Sequence, residues 1–200
     1  TMVATRVDTI SSFWALVPGT KELRQLTGES KTLLGYSGIS QMPDGRILYS
    51  KMTDKDINIF MMDETGGGEK QLTKDSGFNM QPVASPDGKY ILFNSNRNGS
   101  HGIWRMNTDG TNPVQLTNFP EGMDGQMQFA NNGKTVIFTR HRNDGSSPVI
   151  MKVSIDGGNA TSLMPENQAP KSFPKVSPDG KQLAYHTFTF DTSTAAFDAS

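Results

Sequence analysis

The chain has 200 residues, with 19 Lys and Arg against 20 Asp and Glu, a formal net charge of -1, and no cysteine. That length fits one domain, the near-neutral balance offers nothing to nucleic acid or an anionic membrane surface, and disulfides and thiol chemistry are excluded. No apolar stretch reaches the roughly 20 residues of a spanning helix, so neither nucleic-acid binding nor membrane insertion is expected.

Taken in chain order, the segments are short runs rich in β-branched and aromatic residues, bounded by Gly, Pro, Asn and Asp, and none keeps a helical period. Residues 2–7, 13–17 and 22–26 read as strands. The turn Met42-Pro43-Asp44-Gly45 then leads into Arg46-Ile47-Leu48-Tyr49. The same turn returns as Ser85-Pro86-Asp87-Gly88, as the degenerate Ala130-Asn131-Asn132-Gly133, and as Ser177-Pro178-Asp179-Gly180, with glycine-to-glycine steps of 43, 45 and 47 residues. Proline holds φ near the value wanted at the second position of a type I turn, and the glycine accepts the left-handed conformation that closes the hairpin. The Asp reads as a turn-former that bonds nearby backbone, rather than as a metal or catalytic carboxylate.

Each turn is followed by a strand carrying an aromatic: Phe93, Phe138 and Tyr185 lie five positions past their glycines, and Tyr49 one position sooner. A third strand begins at Ile59, Ile103 and Ile150, and ends at a second glycine turn at Gly66, Gly110 and Gly157. Six residues beyond each of these stand Leu72, Leu116 and Leu163. The pair Leu-Thr recurs at Leu26-Thr27, Leu72-Thr73 and Leu116-Thr117, and becomes Leu163-Met164 in the last copy. The repeat is therefore four strands, and a period in the forties made of strands and tight turns predicts propeller blades. The expected organisation is an all-β propeller segment: a partial blade over 1–30, blades over 31–76, 77–120 and 121–168, and a partial blade over 169–200.

The run Ser85-Pro86-Asp87-Gly88-Lys89, Ile91 to Phe93, Ser95-Asn96-Arg97-Asn98-Gly99, Ile103-Trp104-Arg105-Met106-Asn107, Asp109-Gly110 and Gln115-Leu116-Thr117 resembles the WD40-like (PD40) repeat of TolB-type β-propellers. The resemblance covers nearly the whole chain. It implies a ring usually of six blades, of which this chain would be a segment, and an extracytoplasmic bacterial setting such as the periplasm. It also implies a role in protein assemblies or sensing. Open edge strands at the two partial blades would invite pairing into a homodimer.

In a propeller the loops between strands two and three, and the links between blades, share one face, and rigidly held loops are where binding residues concentrate. Here these are the loops near 51–56, 95–101 and 140–145 and the links over 74–80, 118–125 and 165–171. Candidate ligand-face residues are Arg97, Asn98, His101, Arg140, His141, Arg142 and Asp144. The arginines and His141 form a basic group able to meet a carboxylate, or else solvated charges balanced by Asp54, Asp56, Asp124 and Asp144. His101, His141 and His186 occupy different positions of the repeat, so a shared metal is not expected, and no cofactor is implied. Gly35-Tyr36-Ser37-Gly38-Ile39 lacks the closing glycine of a nucleophile elbow, and Gly66-Gly67-Gly68 lacks the spacing of a phosphate loop. The expectation is a non-catalytic module binding a protein or peptide. The alternatives are the gating propeller of a prolyl-oligopeptidase-like peptidase whose catalytic domain lies outside this chain, and a propeller-type sugar-acid lyase or hydrolase with His141 or His186 as base.

Overall fold

The computed structural model describes residues 10–16, 19–32, 34–53, 56–74, 77–164 and 170–187. The strand expected over 2–7 lies outside them, as do Asp54 and most of the 165–171 link. Among the described residues there is no helix. The order opens with a two-stranded sheet, β1 (Trp14–Leu16) and β2 (Leu23–Gln25). Three complete four-stranded antiparallel sheets follow. The first holds β3 (Leu34–Gln41), β4 (Ile47–Met52), β5 (Ile57–Met62) and β6 (Lys70–Gln71), and the second β7 (Asn79–Ala84), β8 (Tyr90–Ser95), β9 (Gly102–Asn107) and β10 (Val114–Gln115). The third holds β11 (Gly122–Ala130), β12 (Thr135–Arg142), β13 (Val149–Ser154) and β14 (Thr161–Ser162). A last pair, β15 (Lys171–Val176) and β16 (Leu183–Thr187), completes the arc. Every sheet keeps sequence order, with each strand hydrogen-bonded to the next.

Hydrophobic side chains fill the spaces between successive sheets. Leu48 and Ile59 meet Ile91, Phe93 and Trp104 between the first and second sheets, while Leu92 and Ile103 meet Val136, Phe138 and Met151 between the second and third. Neighbouring residues of β8 thus face opposite interfaces, and both faces are buried. This is why the middle strands read as continuous apolar runs rather than as alternation with polar residues. Each sheet leans only on its neighbours, the arrangement expected of stacked repeats.

The recurrence of Leu-Thr has a local cause. The N–H of Leu72 donates to the Ile59 carbonyl at 2.8 Å, that of Leu116 to Ile103 at 2.8 Å, and that of Leu163 to Ile150 at 2.9 Å. The following threonine hydroxyl then accepts the isoleucine N–H, Ile59 to Thr73 at 2.9 Å and Ile103 to Thr117 at 3.0 Å. The outer strand is only two residues long in each full sheet, so a side chain takes over where the backbone ladder stops. Met164 has no hydroxyl with which to repeat this in the third sheet.

The turns also show their chemistry. Asp87 Oδ1 accepts the Ser85 hydroxyl at 2.7 Å and the Lys89 N–H at 3.1 Å, and Asp179 repeats this with Ser177 at 2.6 Å and Lys181 at 3.1 Å. The third copy, degenerate in sequence, differs from the others in conformation as well. Asn131 and Asn132 lie at φ 50° and 51°, followed by Gly133 at 85°. Without proline to hold φ negative, two asparagines, which tolerate the left-handed region better than most residues, turn the hairpin the other way. The loop keeps its length, with the Gly133 N–H on the Ala130 carbonyl at 3.1 Å.

Candidate functional site

The loops between second and third strands lie against the blade links. Ser100 Oγ and Asn118 Oδ1 are 3.2 Å apart, the Phe78 N–H donates to Asn96 Oδ1 at 2.9 Å, and the Asn143 N–H to the Glu121 carbonyl at 2.8 Å, while Asn98 Nδ2 donates to Gln115 Oε1 of β10 at 3.0 Å. These contacts gather the two kinds of loop into one surface.

Within that surface the seven sequence-derived candidates divide. Arg97 folds back over the rings of Phe93 and Trp104, at 5.1 and 4.8 Å, and donates to Asn79 Oδ1 at 3.0 Å and Ser95 Oγ at 3.1 Å. Burial pulls its guanidinium below the ordinary arginine value. Arg140 is held inward more firmly, in a two-pronged pair with Asp124: Nε to Oδ1 at 2.7 Å and Nη2 to Oδ2 at 2.8 Å. The Asp124 side chain is wholly inaccessible and that of Arg140 is 12% exposed. The guanidinium also lies 4.0 Å from the centre of the Phe119 ring. His101 Nδ1 and Asn94 Oδ1 are 2.8 Å apart, and Asn94 Nδ2 donates to the Asp124 carbonyl. Burial pushes both His101 and His141 below the usual imidazole value, and the Asp124 charge opposes this at His141. The structure therefore draws His101, Asn94, Asp124 and Arg140 into a network joining the second and third sheets. Asn98 and Asp144 remain exposed and Arg142 is half-buried. Ser146 lowers the Asp144 carboxyl, first through its hydroxyl and then through its N–H, which donates to Oδ1 at 2.8 Å.

A second set of residues was not singled out from the sequence. The innermost strands β3, β7, β11 and β15 each carry an irregularity, and the residue seven positions before the turn glycine takes positive φ each time: Gly38 at 134°, Gln81 at 55°, Gln126 at 54° and Phe173 at 55°. In β7, β11 and β15 two residues oppose one on the next strand, with register breaks between Met80 and Val83, Gly125 and Gln128, and Ser172 and Lys175, and in β3 the break is longer, between Leu34 and Ile39. Each glutamine then caps its successor. The Gln126 N–H donates to Gln81 Oε1 at 2.8 Å, and the Phe173 N–H to Gln126 Oε1 at 2.9 Å. The bulges converge on a cavity of about 190 Å³ at the inner edge of the arc. The available signal was the fixed offset from the glycine, with proline next in line at Pro82 and Pro174; proline within a sheet belongs at edges and bulges.

Consecutive four-stranded sheets stacked face to face, with their first strands gathered inward, define a β-propeller. Residues 52–196 match the tricorn protease N-terminal beta propeller domain, and the chain belongs to that family. It is 33% identical over 152 residues to the uncharacterized protein Atu1656 of Agrobacterium fabrum, covering 72% of this chain and 52% of the relative. It is 26% identical over 115 residues to dipeptidyl-peptidase 5 of Porphyromonas endodontalis, covering 54% of this chain and 16% of that one. Among solved structures, TolB from Acinetobacter baumannii superposes with a TM-score of 0.72 at 26% identity, over 90% of this chain and 45% of TolB. The chain thus spans about half the length of the first of these curated relatives and less of the second. It is a propeller domain related to those of TolB and of the tricorn-type peptidases.

Proposed function

We propose that this chain is a non-catalytic propeller module that binds a protein or peptide through the face formed by its strand 2 to 3 loops and blade links. The observation that carries the reading is the set of side-chain and backbone bonds tying those loops together, from Phe78 and Asn96 through Ser100 and Asn118 to Asn143 and Glu121. Such bonds hold a polar surface in one shape before a partner arrives, which lowers the ordering cost of association. Arg97 and Arg140 act beneath that surface as its supports, and Asn98, His141, Arg142 and Asp144 supply its chemistry. Likeness to TolB favours an extracytoplasmic bacterial setting.

The test is a display selection of peptides against the purified chain, repeated with Asn98→Ala, Arg142→Glu and Asp144→Lys combined. The selected peptides should lose at least about tenfold in affinity for a variant whose circular dichroism is unchanged. Undiminished binding by that variant would end the reading. A second reading, the gating propeller of a serine peptidase, draws on the tricorn and dipeptidyl-peptidase relationships. An α/β-hydrolase domain with a Gly-x-Ser-x-Gly motif in the adjoining reading frame would favour it.

A further inference from the structure

We infer that the inner-strand bulges form a binding site for an apolar group bearing a carboxylate, separate from the loop face. The wall of the cavity is largely apolar, contributed by Ile39, Pro82, Met127, Phe173 and Pro174 from four successive blades. Its polar side chains are the carboxamides of Gln81, Gln126 and Gln128 and the ammonium of Lys175. Gln81 and Gln126 are carboxamides whose Oε1 atoms are already occupied by the N–H of the next bulge. A backbone N–H can only donate, so it fixes which end of each carboxamide is oxygen and leaves Nε2, with its two hydrogens, outside that bond and able to donate to a ligand. Lys175 adds a cation, and no carboxylate lines the space among the described residues. The donors of Gln81 and Gln126, the amide of Gln128, which can turn its N–H outward, and an ammonium beside an apolar wall complement an anion with a hydrophobic body.

The size and strain of the site fit this assignment. About 190 Å³ is below the roughly 300–1,000 Å³ of ordinary small-molecule clefts, so it takes a group the size of one residue. Three non-glycine residues held at φ near 55° at one repeat position form a repeated strain, and such strain concentrates where a ligand is held. In the first full blade the position is Gly38, where a Cβ would stand 3.0 Å from Gln81 Cα. That blade contributes no side chain at the position and leaves the Gln81 end of the row uncrowded.

The experiment is a titration of the isotopically labelled chain with N-acetyl-L-phenylalanine, N-acetyl-L-phenylalaninamide and 3-phenylpropionate, reading the glutamine side-chain amide resonances. The acid should shift the Gln81 and Gln126 signals at millimolar concentration, with the neutral amide at least about tenfold weaker. Gln126→Glu keeps an oxygen for the Phe173 N–H but replaces donors by negative charge, and should lose about tenfold or more in affinity for the acid. Lys175→Met, on an exposed side chain, should weaken the acid selectively and serves if Gln126→Glu does not fold. Binding of 3-phenylpropionate equal to that of the acetylated amino acid assigns the site to free apolar acids, whereas preference for the latter assigns it to a peptide C-terminus. Equal binding of acid and amide, no shift of either glutamine, or full affinity in both variants overturns the inference. The combined loop-face variant should bind the acid normally, so this test and that of the partner-binding face fail independently.

Discussion

Removing Arg140 exposes the difference between two ion pairs of the same length. Arg140 and Asp124 meet at 2.7 Å with the carboxylate wholly buried, and Arg46 and Asp44 also meet at 2.7 Å but with side chains 37% and 51% exposed. Breaking a buried pair from one side strands a desolvated charge and costs about 3–5 kcal/mol, whereas an exposed pair contributes about 0–1. Arg140→Ala also forfeits the contact with the Phe119 ring, which places it at the upper end of that range. With a urea slope of about 2 kcal/mol/M, the midpoint should fall by roughly 2 M, against less than about 0.5 M for Arg46→Ala. Urea unfolding followed by circular dichroism reads both. The double variant Asp124→Leu with Arg140→Met should recover most of the loss, because neither charge is then stranded. If Arg140→Ala costs no more than Arg46→Ala, or if the two single losses simply add in the double variant, the burial argument is refuted.

Further outcomes follow from the repeats and from the half-buried histidines. Thr117→Val removes the hydroxyl that accepts the Ile103 N–H and should cost about 1–3 kcal/mol. Met164→Thr, which supplies the equivalent hydroxyl in the third sheet, should stabilise by about 0.5–1.5 kcal/mol in the same urea assay. Asn131→Pro, although it brings the third turn closer to the other three, forces φ from 50° to near −65° and should destabilise by more than about 1 kcal/mol in thermal unfolding. Below about pH 6.5 stability should decline, because His101 and His141 have depressed folded values and the unfolded chain takes up protons first; replacing both by Gln should flatten the slope between about pH 5 and 7. A second decline should follow below about pH 4, as Asp87 and Asp179, lowered by the hydroxyls of Ser85 and Ser177, are protonated.

The four-stranded repeat was legible because its signals are local. Proline and glycine act on their own φ, and a strand buried on both faces shows as an unbroken run such as Ile57–Met62. The Leu-Thr pair was visible as a landmark, but its cause was not, since the hydroxyl's partner lies 14 residues away at Ile59 or Ile103. The third copy was legible as a degenerate turn but its handedness was not, because that of Asn131 and Asn132 rests on a small local preference that proline decides elsewhere and asparagine leaves open.

The site was less legible for the same reason. Arg97 and Arg140 look in sequence like two loop cations. Their direction depends on Phe93, Trp104, Asp124 and Phe119, which reach them across strands and links. By itself the sequence determined the period, the strand order within a blade and the chemistry of most turns, all of which depend on residues within a few positions of one another. Only the tertiary structure decided which charges turn inward and which glutamine reaches the next bulge. Those contacts join residues as much as 45 and 47 positions apart, and they exist only once one blade is stacked on the next.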